Sequence, residues 1–244
     1  MNKNKILLTF ANAENDLKLG KEAIEISKTP DLNKYAQVIS SYEANFSDIQ
    51  NRFNENSDIS VLHFGGHATD NRLALENYGS IESVYKDGLT DFLTQQEHLQ
   101  LVFLNGCETS EFAEEIIRKD RIPYVIATSI AINDNTAIQF AKEFYKAFAQ
   151  NKSVSASYQY AMTTVKTLNK DTDSTYNKKI QKGLKLKRIE DKGFPWKLFK
   201  NPKATEWHIK SPSKQLAKYY EDIKNYYQIH ALNEKKAKLS DLYI

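Results

Sequence analysis

The sequence predicts an α/β protein with a mostly parallel central sheet, and three observations carry that prediction. Short, near-continuous apolar runs stand at Ile59–Phe64, Leu101–Leu104 and Tyr124–Ala127, as they do in strands covered on both faces. The stretches between them carry apolar residues at helical rather than alternating spacing. The two kinds take turns along the chain, the pattern of helices layered on a sheet. With 244 residues the chain can bury a sizeable core, enough for one large domain or a domain plus a tail.

Lys5–Phe10 is a β-rich run bounded by Ala11-Asn12-Ala13 and reads as the first buried strand. Asn15 is placed to cap a helix from about Asp16 to Ser27, with Leu17, Leu19, Ala23, Ile24 and Ile26 as its apolar positions. Tyr35–Ser40 reads as a second strand. Ser47 then precedes a helix to about Asn54, in which Ile49 and Phe53 are four apart. Gly65-Gly66 ends the strand Ile59–Phe64. Asn71–Glu76 and Ser80–Val84 alternate weakly and join through Asn77-Tyr78-Gly79, a hairpin signal.

A helix from about Thr90 to Glu97 leads to the strand Leu101–Leu104, and Ser110–Lys119 reads as a helix with Phe112, Ile116 and Ile117 facing inward. Pro123 opens the run Tyr124–Ala127. Asn133 or Asp134 caps a strongly amphipathic helix to about Gln150, and Ser153 begins another reaching Leu168. Residues 169–193 are polar and Lys-rich, a loop or linker. Phe194, Trp196 and Phe199 form an aromatic cluster expected to dock on the main body. Thr205–Ile209 alternates as an edge strand would, and Ser213–Asn233 reads as a final helix carrying Tyr219, Tyr220, Tyr226 and Tyr227.

Composition excludes several function classes. No apolar run reaches the roughly 18 residues that a membrane span needs. The amino-terminal apolar run, Ile6–Phe10, is too short for a secretory signal, so a cytoplasmic protein is expected. One cysteine rules out an internal disulfide and a Cys-based zinc cluster, and a lone thiol suits a reducing compartment. His63 and His67 flank Gly65-Gly66 rather than sharing a helix face, so no metal site and no cofactor are expected. Residues 178–244 carry 17 Lys/Arg against 7 Asp/Glu. That excess suits contact with nucleic acid or an acidic partner, or simply a solvated surface, and no nucleic-acid motif accompanies it.

The chemistry concentrates where two apolar runs stop. One ends in Gly65-Gly66-His67-Ala68 and the other in Asn105-Gly106-Cys107-Glu108. Parallel strands ending at the same sheet edge hold such residues over a common crevice. A thiol attacks as the thiolate, so it needs a base beside it, and His67 is the candidate. The same imidazole can then protonate the leaving amine. Backbone N–H groups of Ala68 and Cys107 are placed to receive the negative charge of a tetrahedral intermediate. Taken singly, a Cys after a strand is also a small buried hydrophobe, and a His among apolar residues a structural one.

The words His63-Phe-Gly-Gly-His67-Ala and Leu104-Asn-Gly-Cys107-Glu-Thr-Ser resemble the two signature blocks of CHAT domains, caspase-like cysteine peptidases often found beside TPR repeats. Ile6-Leu-Leu-Thr-Phe-Ala-Asn12 is similar to the family's first strand. Pro123–Ser129 with Ile132–Ala137 and the Phe144-Tyr145 helix resembles the segment after the nucleophile, and Phe194-Pro-Trp196 the closing aromatic block. The resemblance implies a three-layer caspase-like fold, a catalytic dyad of His67 and Cys107 without a metal or a third acidic member, and endopeptidase activity on a protein substrate. The family commonly has Gly where this chain has Ala68, and a methyl there constrains the turn if φ must be positive.

Around this dyad, His63 is a second candidate base or a brace from within the strand. Glu108 is placed to start a helix, where its charge would suit the N-terminal dipole. Asp70, Asn105 and Asp134 are candidates for the rim of a substrate pocket, and an acid there would favour a basic residue before the scissile bond. Asp134 has the alternative of capping its helix. The expected organisation is a CHAT peptidase domain over 1–210 and a C-terminal helical extension over 211–244. Family resemblance further implies a latent effector, activated by another protein and serving bacterial defence or cell death. A catalytically silent interaction module with the same fold is the alternative.

Overall fold

A computed structural model describes residues 3–12, 16–168, 194–210 and 223. The chain divides into two compact units, Lys3–Lys210 and Ser211–Ile244, and the first is described here. The expected linker at 169–193 and the C-terminal helical extension, Ile223 apart, lie outside the described residues.

The first unit is organised by a six-stranded sheet in the order β2-β1-β3-β6-β7-β8. Its strands are β1 (Asn4–Ala11), β2 (Ala36–Ser41), β3 (Ile59–Gly66), β6 (Leu101–Asn105), β7 (Tyr124–Thr128) and β8 (Trp196–Lys200). The first five run parallel and β8 pairs antiparallel with β7. Every residue of β3, β6 and β7 is buried, which explains why they read as apolar runs without alternation.

Successive side chains still point to opposite faces, and the two faces have separate cores. Ile6, Leu8, Val61, Leu101, Phe103, Tyr124 and Ile126 pack with α1 (Leu19–Ser27), α6 (Asp134–Ala149) and α7 (Val154–Leu168). Leu7, Leu62, Val102, Leu104 and Val125 pack with α3 (Phe46–Glu55), α4 (Lys86–Thr94) and α5 (Ser110–Arg118). This is a three-layer arrangement, as expected. On the first face Phe140 stacks on Trp196 with ring centroids 4.4 Å apart, while Phe103 meets Phe144 edge-on at 5.4 Å. A separate hairpin, β4 (Arg72–Asn77) and β5 (Ser80–Tyr85), turns through Tyr78 and Gly79, both at positive φ.

Several local expectations need correction. The first helix begins at Leu19 rather than Asp16, and its N-cap residue is Lys18. The Asn12 side chain bonds both backbone groups of Leu17, at 3.0 and 3.2 Å, and holds the preceding turn out of the helix. A short helix, α2 (Leu32–Tyr35), takes the residue expected to open the second strand. Asn45, not Ser47, caps α3, in a reciprocal capping box with Asp48. The fourth helix starts at Lys86 rather than Thr90, because its polar first turn hides the apolar period. Thr205–Ile209 is not a strand. Its backbone is engaged by the start of α7, where Val154 N–H donates to Trp207 O at 2.9 Å and Ser153 bridges His208, and it anchors Trp207 and Ile209 in the core.

Candidate active site

β3 and β6 are neighbours in register, and their last registered pair is Gly65 with Asn105. His67 and Cys107 each stand two residues beyond that pair, at the carboxyl ends of adjacent parallel strands. Both line one crevice of about 120 Å³ together with Glu22, Asn105, Gly106 and Asp134. Ligand sites of open parallel sheets form at this edge, outside the strand ends.

The turn that carries Cys107 is held by two buried threonines. Thr128 of β7 donates its hydroxyl hydrogen to the Gly106 carbonyl. Thr109 donates to the Leu104 carbonyl at 3.3 Å and accepts from the Thr128 N–H at 3.0 Å. Cys107 itself is half-buried. Glu108 follows at φ +54°, in the left-handed region that a non-glycine residue enters at a cost of about 1–2 kcal/mol. It therefore does not start a helix, as the sequence suggested; α5 begins at Ser110.

The turn that carries His67 is held by the hairpin. Ala68 and Leu73 form an antiparallel bridge, but its hydrogen bonds are made by their neighbours, Thr69 N–H to Arg72 O and Ala74 N–H to His67 O, both 2.9 Å. In such a wide pair the central amide points away from the partner strand, so the Ala68 N–H is directed away from β4. Ala68 has no positive φ, so its methyl does not strain the turn. His67 Nε2 lies 2.8 Å from Asp16 Oδ1. That hydrogen bond, ahead of the opposing effect of desolvation, holds the Asp16 carboxyl below its ordinary pKa.

Under the crevice lies a buried polar chain. His63 is fully buried and its Nε2 is 3.0 Å from Glu22 Oε1. Asn105 donates from Nδ2 to the same oxygen at 2.5 Å and accepts from the Trp196 indole N–H at 3.0 Å. The Tyr145 hydroxyl is 3.4 Å from His63 Nδ1, and burial pushes its pKa well above the ordinary phenol value. His63 is thus engaged inside the protein by Glu22 and Tyr145 and does not line the crevice.

Of the sequence-derived pocket candidates, Asn105 and Asp134 line the crevice and Asp70 does not; it is exposed on the approach to the hairpin. Asn105 is a buried floor residue rather than a rim residue, 5% exposed. Asp134 does not cap α6, a role taken by Asn133, whose side chain accepts from Thr136 N–H at 2.9 Å. Asp134 instead accepts the Lys18 N–H at 3.2 Å. Asp16 and Glu22 escaped sequence reasoning, because acidic residues at the start of a helix are ordinary dipole and solubility features. Glu22 had one available signal: a carboxylate three residues after Leu19 falls on the inward stripe, where an unpaired charge is not expected.

A family model described as the CHAT domain matches residues 10–182. The chain is similar to a secreted C11 cysteine protease from Bacteroides thetaiotaomicron, solved in complex with an irreversible peptide inhibitor. The TM-score is 0.52 at 12% identity, covering 82% of this chain and 67% of that one. It is also similar to the Arg specific cysteine proteinase gingipain R (TM-score 0.54, 15% identity, 81% of this chain and 46% of that one). The pro- and mature domains of Porphyromonas gingivalis RgpB give a TM-score of 0.52 at 16% identity, with 82% and 47% covered. The chain thus spans about two thirds of the first protease and under half of the gingipain chains. At these identities the likeness establishes the fold, a caspase-like α/β fold. No curated protein sequence matches the chain significantly. Among the described residues no helix is long and apolar enough to cross a membrane.

Proposed function

The chain belongs to the CHAT domain family, and from that premise we propose that it is a cysteine endopeptidase whose nucleophile is Cys107 and whose base is His67. The observation that carries the reading is the shared crevice: one thiol and one imidazole, each two residues past a registered pair of adjacent strands. Fold and family together support a cysteine peptidase acting on protein substrates.

In the proposed reaction His67 takes the Cys107 proton and the thiolate sulfur attacks the peptide carbonyl carbon. The N–H groups of Ala68 and Cys107 receive the developing oxyanion. As the tetrahedral intermediate collapses, the C–N bond breaks and His67 delivers its proton to the departing amine. Water, deprotonated by His67, then hydrolyses the thioester and restores the thiol. Asp16 acts as a positioning residue: its carboxylate fixes the ring through Nε2 and offsets the positive charge that forms on it.

The further elements of the proposal are a cytoplasmic setting, where a lone thiol stays reduced, and activation by a partner protein in a defence response. A peptidyl electrophile tests the core of the reading. It is expected to label the wild-type protein and to label neither Cys107→Ala nor His67→Ala at a comparable rate. Equal, slow labelling of wild type and His67→Ala would leave the silent interaction module as the better account.

A further inference from the structure

The crevice floor holds a carboxylate that the cleavage chemistry does not use. Glu22 is 2% exposed yet lines the crevice beside Cys107. Both donors to it among the described residues, His63 Nε2 at 3.0 Å and Asn105 Nδ2 at 2.5 Å, converge on the same oxygen, Oε1. Among the described residues no donor meets Oε2.

The surrounding chain constrains the groups that meet Glu22. The Tyr145 hydroxyl lies 3.4 Å from His63 Nδ1 on the far side of the ring. His63 Nε2 faces Glu22 Oε1 at 3.0 Å, so an N–H there is donated to the carboxylate. The Trp196 indole can only donate, so it fixes the Asn105 carbonyl toward itself and turns the NH₂ toward Glu22. Both donors thus occupy Oε1, and Oε2 is the carboxylate oxygen left to a ligand. A buried carboxylate oxygen that lacks a donor is costly until a donor reaches it. The charged groups on the crevice wall are Asp134, which adds to the negative potential, and Lys18, whose residue is exposed. Leu17, Leu19, Ile132 and Ile138 supply an apolar sleeve to the crevice. An aliphatic stem ending in a positive head fits that sequence of environments.

We infer that Glu22 is a specificity-determining residue: its carboxylate receives the lysine or arginine side chain of the residue that precedes the scissile bond. The inference deepens the peptidase reading and rests on it for the identity of the ligand. The side chain of the attacked residue enters next to Cys107, crosses the apolar sleeve and pairs its terminal N–H with Oε2, with Asp134 adding attraction from the wall.

The test is a binding measurement that does not depend on cleavage. Cys107→Ala protein is titrated with acetyl-lysinamide, acetyl-argininamide and acetyl-norleucinamide, and the Trp196 indole N–H resonance is followed by NMR. That proton reports on the floor through Asn105. The two basic amides are expected to shift it saturably and to bind at least tenfold more tightly than the norleucine amide. In Cys107→Ala/Glu22→Gln, which keeps shape and acceptor oxygen, that preference is expected to vanish while the indole signal of the free protein stays folded-like. Equal shifts from all three amides, no shift from any, or a preference abolished by Asp134→Asn but intact in Glu22→Gln overturns the assignment. The electrophile experiment on His67 judges the peptidase reading separately, so the two can fail independently.

Discussion

Gly106 lies so close to Ala68 that a methyl group on its Cα would stand 2.8 Å from the Ala68 methyl carbon and 2.8 Å from the Gly66 carbonyl oxygen. The cysteine turn and the histidine turn thus touch through a residue with no side chain. That contact is expected to set the spacing between the His67 and Cys107 side chains. Gly106→Ala must push the turns apart, and overpacking of this kind costs about 1–3 kcal/mol. The expected outcome is a lower urea midpoint together with loss of electrophile labelling that is larger than the stability change explains. Normal labelling in a folded Gly106→Ala protein would contradict a spacing role.

Thr128 makes the next prediction. Its hydroxyl hydrogen goes to the Gly106 carbonyl, and its oxygen lies 3.3 Å from that of Thr109. Thr128→Val preserves shape and removes the hydroxyl, leaving a buried carbonyl short of a donor. The expected loss is about 1–3 kcal/mol of stability, measured by urea denaturation. Labelling of Cys107 is expected to slow as well, since the turn loses its hydroxyl tie to β7 and keeps only the bond from the Thr128 N–H to Thr109.

The strand framework was legible because fully buried parallel strands leave apolar runs that little else produces, and the two reactive turns stood out where those runs stopped. Helix starts were less legible. The reason is visible at Asn12 and Asn45: side-chain bonds to nearby backbone decide where a helix begins, and asparagine and aspartate offer more such bonds than a sequence can rank. Thr205–Ile209 alternates correctly for a strand but spends its backbone on the start of α7, a tertiary fact with no local trace. The acidic side of the site was hidden for a related reason. Asp16 meets His67 across 51 residues and Glu22 meets Asn105 across 83, so neither pairing has a local motif.

The Asp16–His67 contact has a pH signature. The hydrogen bond from His67 keeps the Asp16 carboxyl below its ordinary value of 3.8. A depressed carboxylate pKa means the favourable interaction is present above the ordinary value and is lost as pH falls through the depressed one. In His67→Ala the Asp16 carboxyl is therefore expected to titrate higher, back near 3.8, which carbon-detected NMR of the aspartate carboxyls can follow. An Asp16 titration unchanged by His67→Ala would show that the pair does not persist in solution. Asp16→Asn is expected to lower kcat by several-fold with little change in KM, and Asp16→Glu to restore part of the loss.

Glu108 separates backbone strain from side-chain chemistry immediately after Cys107. Its φ of +54° is tolerated by glycine and disfavoured for every side chain with a β-carbon, most of all the β-branched ones. Its side chain is exposed and makes no hydrogen bond among the described residues, so little is lost on removing it. Glu108→Gly relieves about 1 kcal/mol of strain and adds unfolded-state entropy of a similar or smaller size. Its urea midpoint is expected to stay level or rise slightly, with labelling of Cys107 retained. Glu108→Val keeps a β-carbon and adds a branch, so it is expected to lose about 1–3 kcal/mol and to slow labelling as the turn relaxes toward negative φ. If the valine variant matched the glycine variant in both measurements, the left-handed residue beside Cys107 would have no part in holding the thiol over the crevice.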